Sequence, residues 1–302
     1  MNRHILAFIF IVSAGCSSPM PAPKAMVEPP SKPSNSTNAL PKNTTKNLSS
    51  ITVPPTSSAG PISAQNQIPT HQTSQKNIPL SYHAISSQGL TISVVYYDDR
   101  EFQLQVADQP KGCGSLWLDA KSAGLSRNAV AAINAGFFTP EGKPLGLVVE
   151  SGIKRGHLNQ SSLGTGLYCT TASGSTITRR DNSRTSEFIN SATHLLQAGP
   201  ILIENGLPSY GLSALRNRPR SFLAWDGHHH WMIGHITTAT LSGAAQALAN
   251  SPSLKFKPAI ALNLDGGRSS DLWAGPLVSN GNKTHRSFLN KVVRNYLVLT
   301  PR

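Results

Sequence analysis

The sequence predicts an α+β or mixed α/β protein, with a mostly β-sheet core and a few helices in a single domain over residues 79–302. Several short runs rich in β-branched and aromatic residues alternate with turn residues, and only one stretch has the composition of a good helix. The chain has 302 residues, of which 38% are hydrophobic, so a large core is possible. No apolar run reaches the roughly 18 residues of a spanning helix, which excludes a polytopic membrane protein.

The first half of this domain carries strand signals. Residues 90–97 are β-branched and aromatic, residues 98–100 supply a turn, and alternating apolar residues over 102–106 continue as the partner strand. Three further apolar runs predict short strands at 129–133, 145–149 and 201–203.

The second half adds a hairpin, a helix and a closing strand. Residues 221–225 and 231–236 flank the turn pair Asp226-Gly227, which predicts a hairpin. Residues 241–249 are rich in Ala and Leu and predict a helix that Ser242 is able to cap. The remaining predicted strands are 259–264 and 292–299.

The N-terminus predicts export. Basic residues precede an apolar run over 5–12, and small residues then lead to Cys16, as in a secretory signal. The Ala-Gly-Cys end resembles a bacterial lipobox, which implies a signal peptide over 1–16 and lipidation of Cys16. Two serines follow, which is similar to outer-membrane sorting. We expect a protein of the bacterial envelope that is anchored by this lipid in the outer membrane and faces the periplasm. Its expected partners are the membrane, through the lipid, and a sugar-phosphate or glycan substrate. Ordinary secretion with an incidental cysteine is the alternative.

Residues 17–78 predict a disordered tether. Pro, Ser, Thr, Asn and Gln dominate this segment, so it cannot bury enough apolar surface to offset its chain entropy. A strip that binds glycan or peptidoglycan is the other interpretation. The formal charge of +13 favours anionic partners, and the expected compartment leaves sugar phosphates or glycans rather than nucleic acid.

The other two cysteines, Cys113 and Cys169, would meet an oxidising periplasm, where a disulfide between them is permitted. A bridge closing so long a loop would stabilise the fold by about 4 kcal/mol. No Cys-His signature surrounds either residue, so a catalytic thiol is not expected.

The strongest chemical signal is the string at residues 265–271. Asp265 follows a predicted buried strand, and Gly266 and Gly267 allow the backbone to approach a ligand closely. Arg268 offers a fork for phosphate, while the hydroxyls and N–H groups of the two following serines can bind an anion. The two serines are Ser269 and Ser270. A tight structural turn is the competing interpretation.

Two other strings place a polar residue and a glycine beside a predicted strand, and a basic cluster follows them along the chain. Asn134 precedes Gly136 and Phe137, and an aromatic face at this place could stack on a sugar or enter the core. Gln197 and Gly199 precede the predicted strand at 201–203. A basic cluster around Pro219 could neutralise phosphate or form a solvated loop; it comprises Arg216, Arg218 and Arg220.

Together these strings resemble the phosphodiester glycosidase family. Asn134-Ala-Gly-Phe-Phe138 differs from the family pattern at one position, and Gln197-Ala-Gly-Pro200 matches it. Asn263 to Ser270 matches the family's Asn-Leu-Asp-Gly-Gly-Gly-Ser-Ser, except that Arg268 replaces the third glycine. The resemblance covers roughly residues 80–302 and implies the family's fold as a single domain.

The resemblance implies hydrolysis of the glycosidic bond of a sugar-1-phosphodiester. Asp265 would act as nucleophile, base or oxocarbenium-stabilising carboxylate, and Arg220, with Arg268, would hold phosphate. Asn134 would complete the catalytic set. The expected substrate-binding residues are Gly136, Phe137, Gln197, Gly199, Gly266, Gly267, Arg268, Ser269 and Ser270.

Other chemistries have weaker signals. Successive histidines at 228–230 would alternate faces on a strand, so no metal site and no cofactor are expected. Ser269 and Ser270 lack a nucleophile elbow and a partner histidine. The reserve carboxylates are Glu150, Glu204 and Asp226. The alternative function is a non-catalytic lipoprotein that binds anionic glycan or lipid through its basic face.

Overall fold

The computed structural model describes residues 77–302, so the predicted signal peptide, Cys16 and almost all of the predicted tether lie outside the described residues. The strands are β1 (Ser81–Ser87), β2 (Leu90–Asp98), β3 (Phe102–Asp108), β4 (Ala131–Asn134), β5 (Val148–Glu150), β6 (Ile153–Arg155), β7 (Gly166–Thr171), β8 (Gly174–Arg179), β9 (His194–Ala198), β10 (Ile201–Glu204), β11 (Leu207–Pro208), β12 (Arg218–Trp225), β13 (His230–Ala239), β14 (Ile260–Asn263), β15 (Asp271–Ala274), β16 (Lys283–Arg286) and β17 (Asn295–Pro301). The helices are α1 (Ala120–Ser126), α2 (Thr185–Ser191) and α3 (Leu241–Asn250).

The strands form three sheets. The first has the order β1-β2-β13-β12-β14-β10-β11, the second β16-β15-β4-β17-β3, and the third β6-β5-β9-β7-β8. Neighbouring strands within these sheets run antiparallel. This architecture confirms the predicted mostly β core with a few helices.

The main core lies where the three sheets face one another. Its buried side chains come from all three sheets and are mostly Val, Ile, Leu and aromatic residues, which suits strands buried on one or both faces. Representative members are Tyr97, Val106, Ile133, Tyr168, Leu223, Trp231, Leu262 and Leu297.

One short helix covers the outer face of each sheet. α3 packs its alanines and Leu248 on the first sheet, α1 lies against the second with Ala120 and Ala123, and α2 covers the third with Phe188. The start of α3 corrects the sequence prediction, because Thr240 rather than Ser242 caps it: the Thr240 hydroxyl accepts from the N–H of Gly243 at 2.9 Å.

Each predicted strand is present, with bounds shifted by up to three residues. The expected disulfide is wrong, because Cys113 and Cys169 are both free thiols. Cys169 is buried within β7 beneath α2, whereas Cys113 lies in the loop between β3 and α1. Within residues 77–302, no helix combines the length and the apolar character that crossing a membrane requires.

Candidate active site

The predicted site strings come together at the edge where the first and second sheets meet. β4 ends there at Asn134 and β14 at Asn263, while β12 and β15 begin there. The N–H of Asp265 donates to the carbonyl of Ala135 at 2.9 Å, which joins the loop after β14 to the loop after β4. Residues far apart in sequence therefore share one site.

The side chain of Asn134 links three segments of the chain at this edge through hydrogen bonds. Its Nδ2 donates to the carbonyl of Asp265 (2.6 Å), and its Oδ1 accepts from the Ser221 hydroxyl (2.6 Å) and the N–H of Asp271 (3.0 Å). The side chain is fully buried, so these bonds satisfy its amide within the protein. Asn134 is thus a positioning residue beneath the site, whereas the sequence analysis expected it to touch substrate.

The turn after β14 needs its two glycines. A Cβ at Gly266 would stand 2.9 Å from the backbone oxygen of Pro219, which is too close for any other residue. Gly267 has φ of +64°, in the left-handed region that side chains other than Asn and Asp rarely adopt. These constraints press the Asp265 turn against the start of β12 and its arginines.

Asp265 is a partly buried carboxyl without an ion pair among the described residues. Burial raises its pKa above the usual range, and this effect outweighs the neighbouring Ser269 and the positive charges of Lys291 and Arg218, which lower it. A raised pKa allows Asp265 to exchange a proton nearer to neutral pH than an exposed aspartate would.

Beside Asp265 stands a group of buried oxygens that lack a hydrogen-bond partner within the protein. Among the described residues they are the hydroxyl of Ser270 and Oδ1 of Asp271, whereas the Ser269 hydroxyl lies beside the Asp265 carboxyl and lowers its pKa. Buried polar atoms in folded proteins are normally paired, and an exception at a cleft is typical of a binding site. The Ser270 hydroxyl and Oδ1 of Asp271 can therefore still form a hydrogen bond with a ligand.

Asp271 is the carboxyl that the sequence analysis did not single out. Its Oδ2 accepts from the N–H of Ala120 at 2.9 Å and lies 3.8 Å from the Arg286 Nε. Burial raises the pKa of Asp271 to about 6 in spite of these contacts. Its place at the end of the 265–271 string was the available signal, but its burial could not be read from the sequence.

Arg220 is buried at the start of β12. Its Nε donates to the carbonyl of Ala239 (3.0 Å) and its Nη2 to the carbonyl of Arg216 (2.8 Å), while no carboxylate of the described residues lies within 4.0 Å. Burial, followed by the charge of Arg218, lowers its pKa. A buried guanidinium without a counter-ion favours an anionic ligand.

Two further arginines border a cavity of about 390 Å³ at the same edge. Its lining residues are Arg218, Pro219, Gly267, Arg268, Ser287 and Leu289. Arg268 is exposed, and its Nε donates to the carbonyl of Leu289 at 2.8 Å. The arginine that replaces the family's third glycine therefore lies at the mouth of the site and does not fill it.

Gln197 does not present its side chain to a ligand. Its Oε1 accepts from the N–H groups of Leu147 (3.0 Å) and Asn159 (2.8 Å), and its Nε2 donates to the carbonyls of Asn159 and Gly164, each at 2.8 Å. The predicted binding role of this side chain is replaced by a structural one. Gly199 forms a cis peptide with Pro200, and its carbonyl accepts from Asn263.

The two phenylalanines that follow Asn134, Phe137 and Phe138, have different surroundings. Phe137 packs against the main core, which corrects its expected substrate contact. Gly136 donates its N–H to Oδ1 of Asn295 at 2.7 Å and so supports the same loop. Phe138 lies under the ammonium group of Lys291, 4.3 Å from the ring centroid, which places a cation beside the Asp265 turn.

The reserve carboxylates have side-chain partners elsewhere in the fold. Glu150 pairs with Arg127 at 2.6 Å, Glu204 with Arg179 at 3.3 Å, and Asp226 with His230 at 2.8 Å. Within residues 77–302, no group of three or more His, Cys, Asp or Glu side chains is arranged to hold a metal ion.

Comparisons with known proteins agree with this architecture. A model of the phosphodiester glycosidase family matches residues 127–300. No match to a curated protein was found. A zebrafish structure, described as the N-acetylglucosamine-1-phosphodiester alpha-N-acetylglucosaminidase catalytic domain auto-inhibited by its pro-peptide, has the same fold at 17% identity and a TM-score of 0.53, covering 74% of this chain and 83% of that one.

A hypothetical protein from Synechocystis is also similar. It shares 16% identity with this chain, with a TM-score of 0.50, over 73% of this chain and 61% of the other. At such identities the likeness concerns the fold, and the site has to be judged on its own residues.

Proposed function

The chain belongs to the phosphodiester glycosidase family, and we propose that it hydrolyses the glycosidic bond of a sugar-1-phosphodiester. The observation that carries this proposal is that Asp265, a carboxyl with a raised pKa, lies near the buried Arg220, which has no counter-ion among the described residues: Nη1 of Arg220 would stand 3.8 Å from a Cβ at Gly266, the neighbour of Asp265. Few reactions need a proton-exchanging carboxyl and an unpaired guanidinium side by side, and departure of a phosphate from a sugar carbon is one of them.

In the proposed reaction, the bond between sugar C1 and the phosphate oxygen breaks and its electron pair leaves with the phosphate monoester. The oxygen of one water molecule bonds to C1, which gives the free sugar. The transition state carries positive charge on the sugar ring, as in glycoside hydrolysis generally. The ionised Asp265 stabilises the ring charge and accepts the proton that the attacking water loses as its oxygen bonds to C1. That proton then passes to the departing phosphate or to solvent.

The arginines act on the leaving group. A phosphate monoester leaves more readily than an alcohol, so stabilising its negative charge matters more than protonating it. Arg220 offers the nitrogen that its two backbone bonds leave free, and Arg218 and Arg268 add charge from the cavity wall. Ser270 supplies a hydroxyl that has no partner among the described residues, and Ser269 supplies one beside the Asp265 carboxyl.

The decisive experiment offers the full chain a panel of soluble sugar-1-phosphodiesters and follows free sugar by mass spectrometry. The parent releases sugar, and Asp265→Asn lowers the rate by roughly 10²–10⁴-fold, the usual range for losing an acid–base group. Asp181→Asn, which changes an exposed carboxylate, is the matched control and keeps the parent rate.

Water labelled with heavy oxygen identifies the bond that breaks. Cleavage at C1 places the label in the sugar, whereas cleavage at phosphorus places it in the phosphate and contradicts the glycosidase. A folded parent that releases nothing from the whole panel would favour the non-catalytic binding protein instead.

We further propose that the protein works in the bacterial envelope, anchored through a lipid on Cys16. The lipobox-like sequence around that residue supports this location. Labelled palmitate is expected in the membrane-bound parent and not in Cys16→Ser. An unlabelled parent that is released as a soluble protein would indicate ordinary secretion.

A further inference from the structure

Two loops at the mouth of the candidate site carry exposed apolar side chains. We name residues 211–217 and 287–290 the rim loops. The exposed side chains are Leu215 (90%), Phe288 (101%) and Leu289 (66%). Leu289 lines the 390 Å³ cavity, and Leu215 and Phe288 lie on the two rim loops next to it. Single exposed apolar residues are common on soluble proteins, but three of them on two loops beside one site form a surface that calls for a partner.

The same mouth is cationic. Arg216 lies in the first rim loop, Arg218 and Arg268 line the cavity between the loops, and Lys291 follows the second. None of these four side chains has a described carboxylate within 4.0 Å. Neither rim loop contains an acidic residue. The positive charge is therefore unopposed where the apolar side chains project.

The geometry links the rim to the chemistry below it. Ser287 and Leu289 of the second rim loop line the 390 Å³ cavity together with Gly267 and Arg268 of the Asp265 turn. The carbonyl of Arg216 in the first rim loop accepts from the Arg220 guanidinium at 2.8 Å. A surface that engages the rim thus places its own phosphates at the entrance of the site.

We propose that the rim loops dock on an anionic lipid bilayer and that the site takes its phosphodiester from a lipid headgroup there. Apolar loop tips enter the boundary between headgroups and acyl chains, while arginines bind the phosphates. A protein partner would instead fit one continuous apolar face, and these tips are separate side chains on two loops. The headgroup part rests on the proposed function, whereas the docking does not.

Tryptophan fluorescence tests the docking at the rim itself. The full chain with Cys16→Ser, which carries no acyl chain, receives either Phe288→Trp or, as a control, Leu277→Trp. Leu277 is exposed (78%) in the turn at the opposite end of β15 from Asp271. Each variant is mixed with vesicles of brominated phosphatidylglycerol or brominated phosphatidylcholine, whose bromine quenches only indoles that enter the bilayer.

We expect quenching and a blue shift for Phe288→Trp on phosphatidylglycerol, beyond the signal of the four native tryptophans, and none for Leu277→Trp. Adding Arg218→Gln and Arg268→Gln to the Phe288→Trp chain should weaken vesicle binding by about fivefold per charge. Docking is refuted by an unquenched Phe288→Trp, by equal quenching at both positions, or by equal quenching on the neutral lipid.

A second measurement tests the headgroup. Leu215→Ser with Phe288→Ser should lower turnover of a glycosyl phosphodiester embedded in phosphatidylglycerol vesicles by at least about tenfold, and leave turnover of its water-soluble analogue unchanged. Equal rates for parent and variant on the vesicles would overturn the headgroup assignment. Absence of soluble turnover in the parent would count against the proposed function alone, since the quenching experiment needs no reaction.

Discussion

The two ends of β12 and β13 hold charges in opposite ways. At the far end, each acidic side chain has a partner: Asp98 forms an ion pair with Arg100, and Asp226 shares a hydrogen bond with Nδ1 of His230 at 2.8 Å. At the near end, Arg220 is buried and Asp265 is partly buried. Neither of them has an ion pair among the described residues.

This contrast distinguishes stability from function better than burial alone does. A paired buried charge is satisfied by the fold, so its loss is felt in folding. An unpaired one costs the fold free energy and is retained at sites where a ligand supplies the missing partner. A cavity of about 760 Å³, larger than the 390 Å³ cavity at the candidate site, lies at the matched end beside His230, so cavity size by itself does not locate the candidate site.

The strongest test of the contrast is Arg220→Lys. This variant keeps a positive charge but loses the planar fork, so the charge on the leaving phosphate is less well stabilised. We expect kcat on a soluble sugar-1-phosphodiester to fall by roughly 10²–10³-fold. Arg100→Lys at the matched end is the control, and an equal fall in both variants would remove the distinction between the two ends.

The next test uses Asp271, whose pKa is raised by burial to about 6. The native state then holds this proton more tightly than the unfolded chain, so the resulting stabilisation is present below about pH 4 and is lost as the pH rises to about 6. Urea unfolding of parent and Asp271→Asn at pH 4 to 7 should show the variant gaining about 2–3 kcal/mol relative to the parent across that range. A difference that does not vary with pH would show that the carboxyl has no raised pKa.

At the matched end, Asp226→Asn should act on stability. The carboxylate accepts from the N–H of His228 (2.7 Å) and from Nδ1 of His230 (2.8 Å), and the amide cannot keep all of these bonds. Urea unfolding at pH 7 should show a loss of about 1–3 kcal/mol, with turnover per folded molecule unchanged. A fall in turnover without a loss of stability would make this end part of the active site.

The smallest effect is expected from Gly267→Ala, compared with Gly89→Ala. Both glycines have positive φ, +64° and +76°, and neither Cβ would clash with a neighbour. Each change should cost about 1–2 kcal/mol in urea unfolding. Only Gly267→Ala should also change turnover, because it alone lies in the Asp265 turn; equal effects on turnover would show that the position of this turn is not critical.

Much of the fold could be predicted from the sequence because its strands carry strong local signals. β2 and β14 are continuous β-branched or apolar runs, and α3 is rich in alanine. α1 and α2 have seven residues each and depend on packing against a sheet, which no local pattern shows. The proposed disulfide failed for the same reason, since spacing along the chain does not give distance between Cys113 and Cys169.

The sequence motifs of the candidate site could be predicted, but the role of each residue within them could not. Asn134 and Gln197 each stand two residues before a glycine, where the side-chain amide can face either a ligand or the protein backbone. Both amides face the backbone here, and that direction depends on three sheets meeting. The raised pKa of Asp265 and Asp271 likewise results from burial, which only the assembled fold creates.

The three bonds of Asn134 also bear on how this fold can change over generations. One amide holds the carbonyl of Asp265, the hydroxyl of Ser221 and the N–H of Asp271, so a substitution there alters folding and geometry at once. The apolar tips of the rim loops are exposed and add nothing to the core. The rim loops can therefore vary in sequence while the scaffold that holds Asp265 is inherited unchanged.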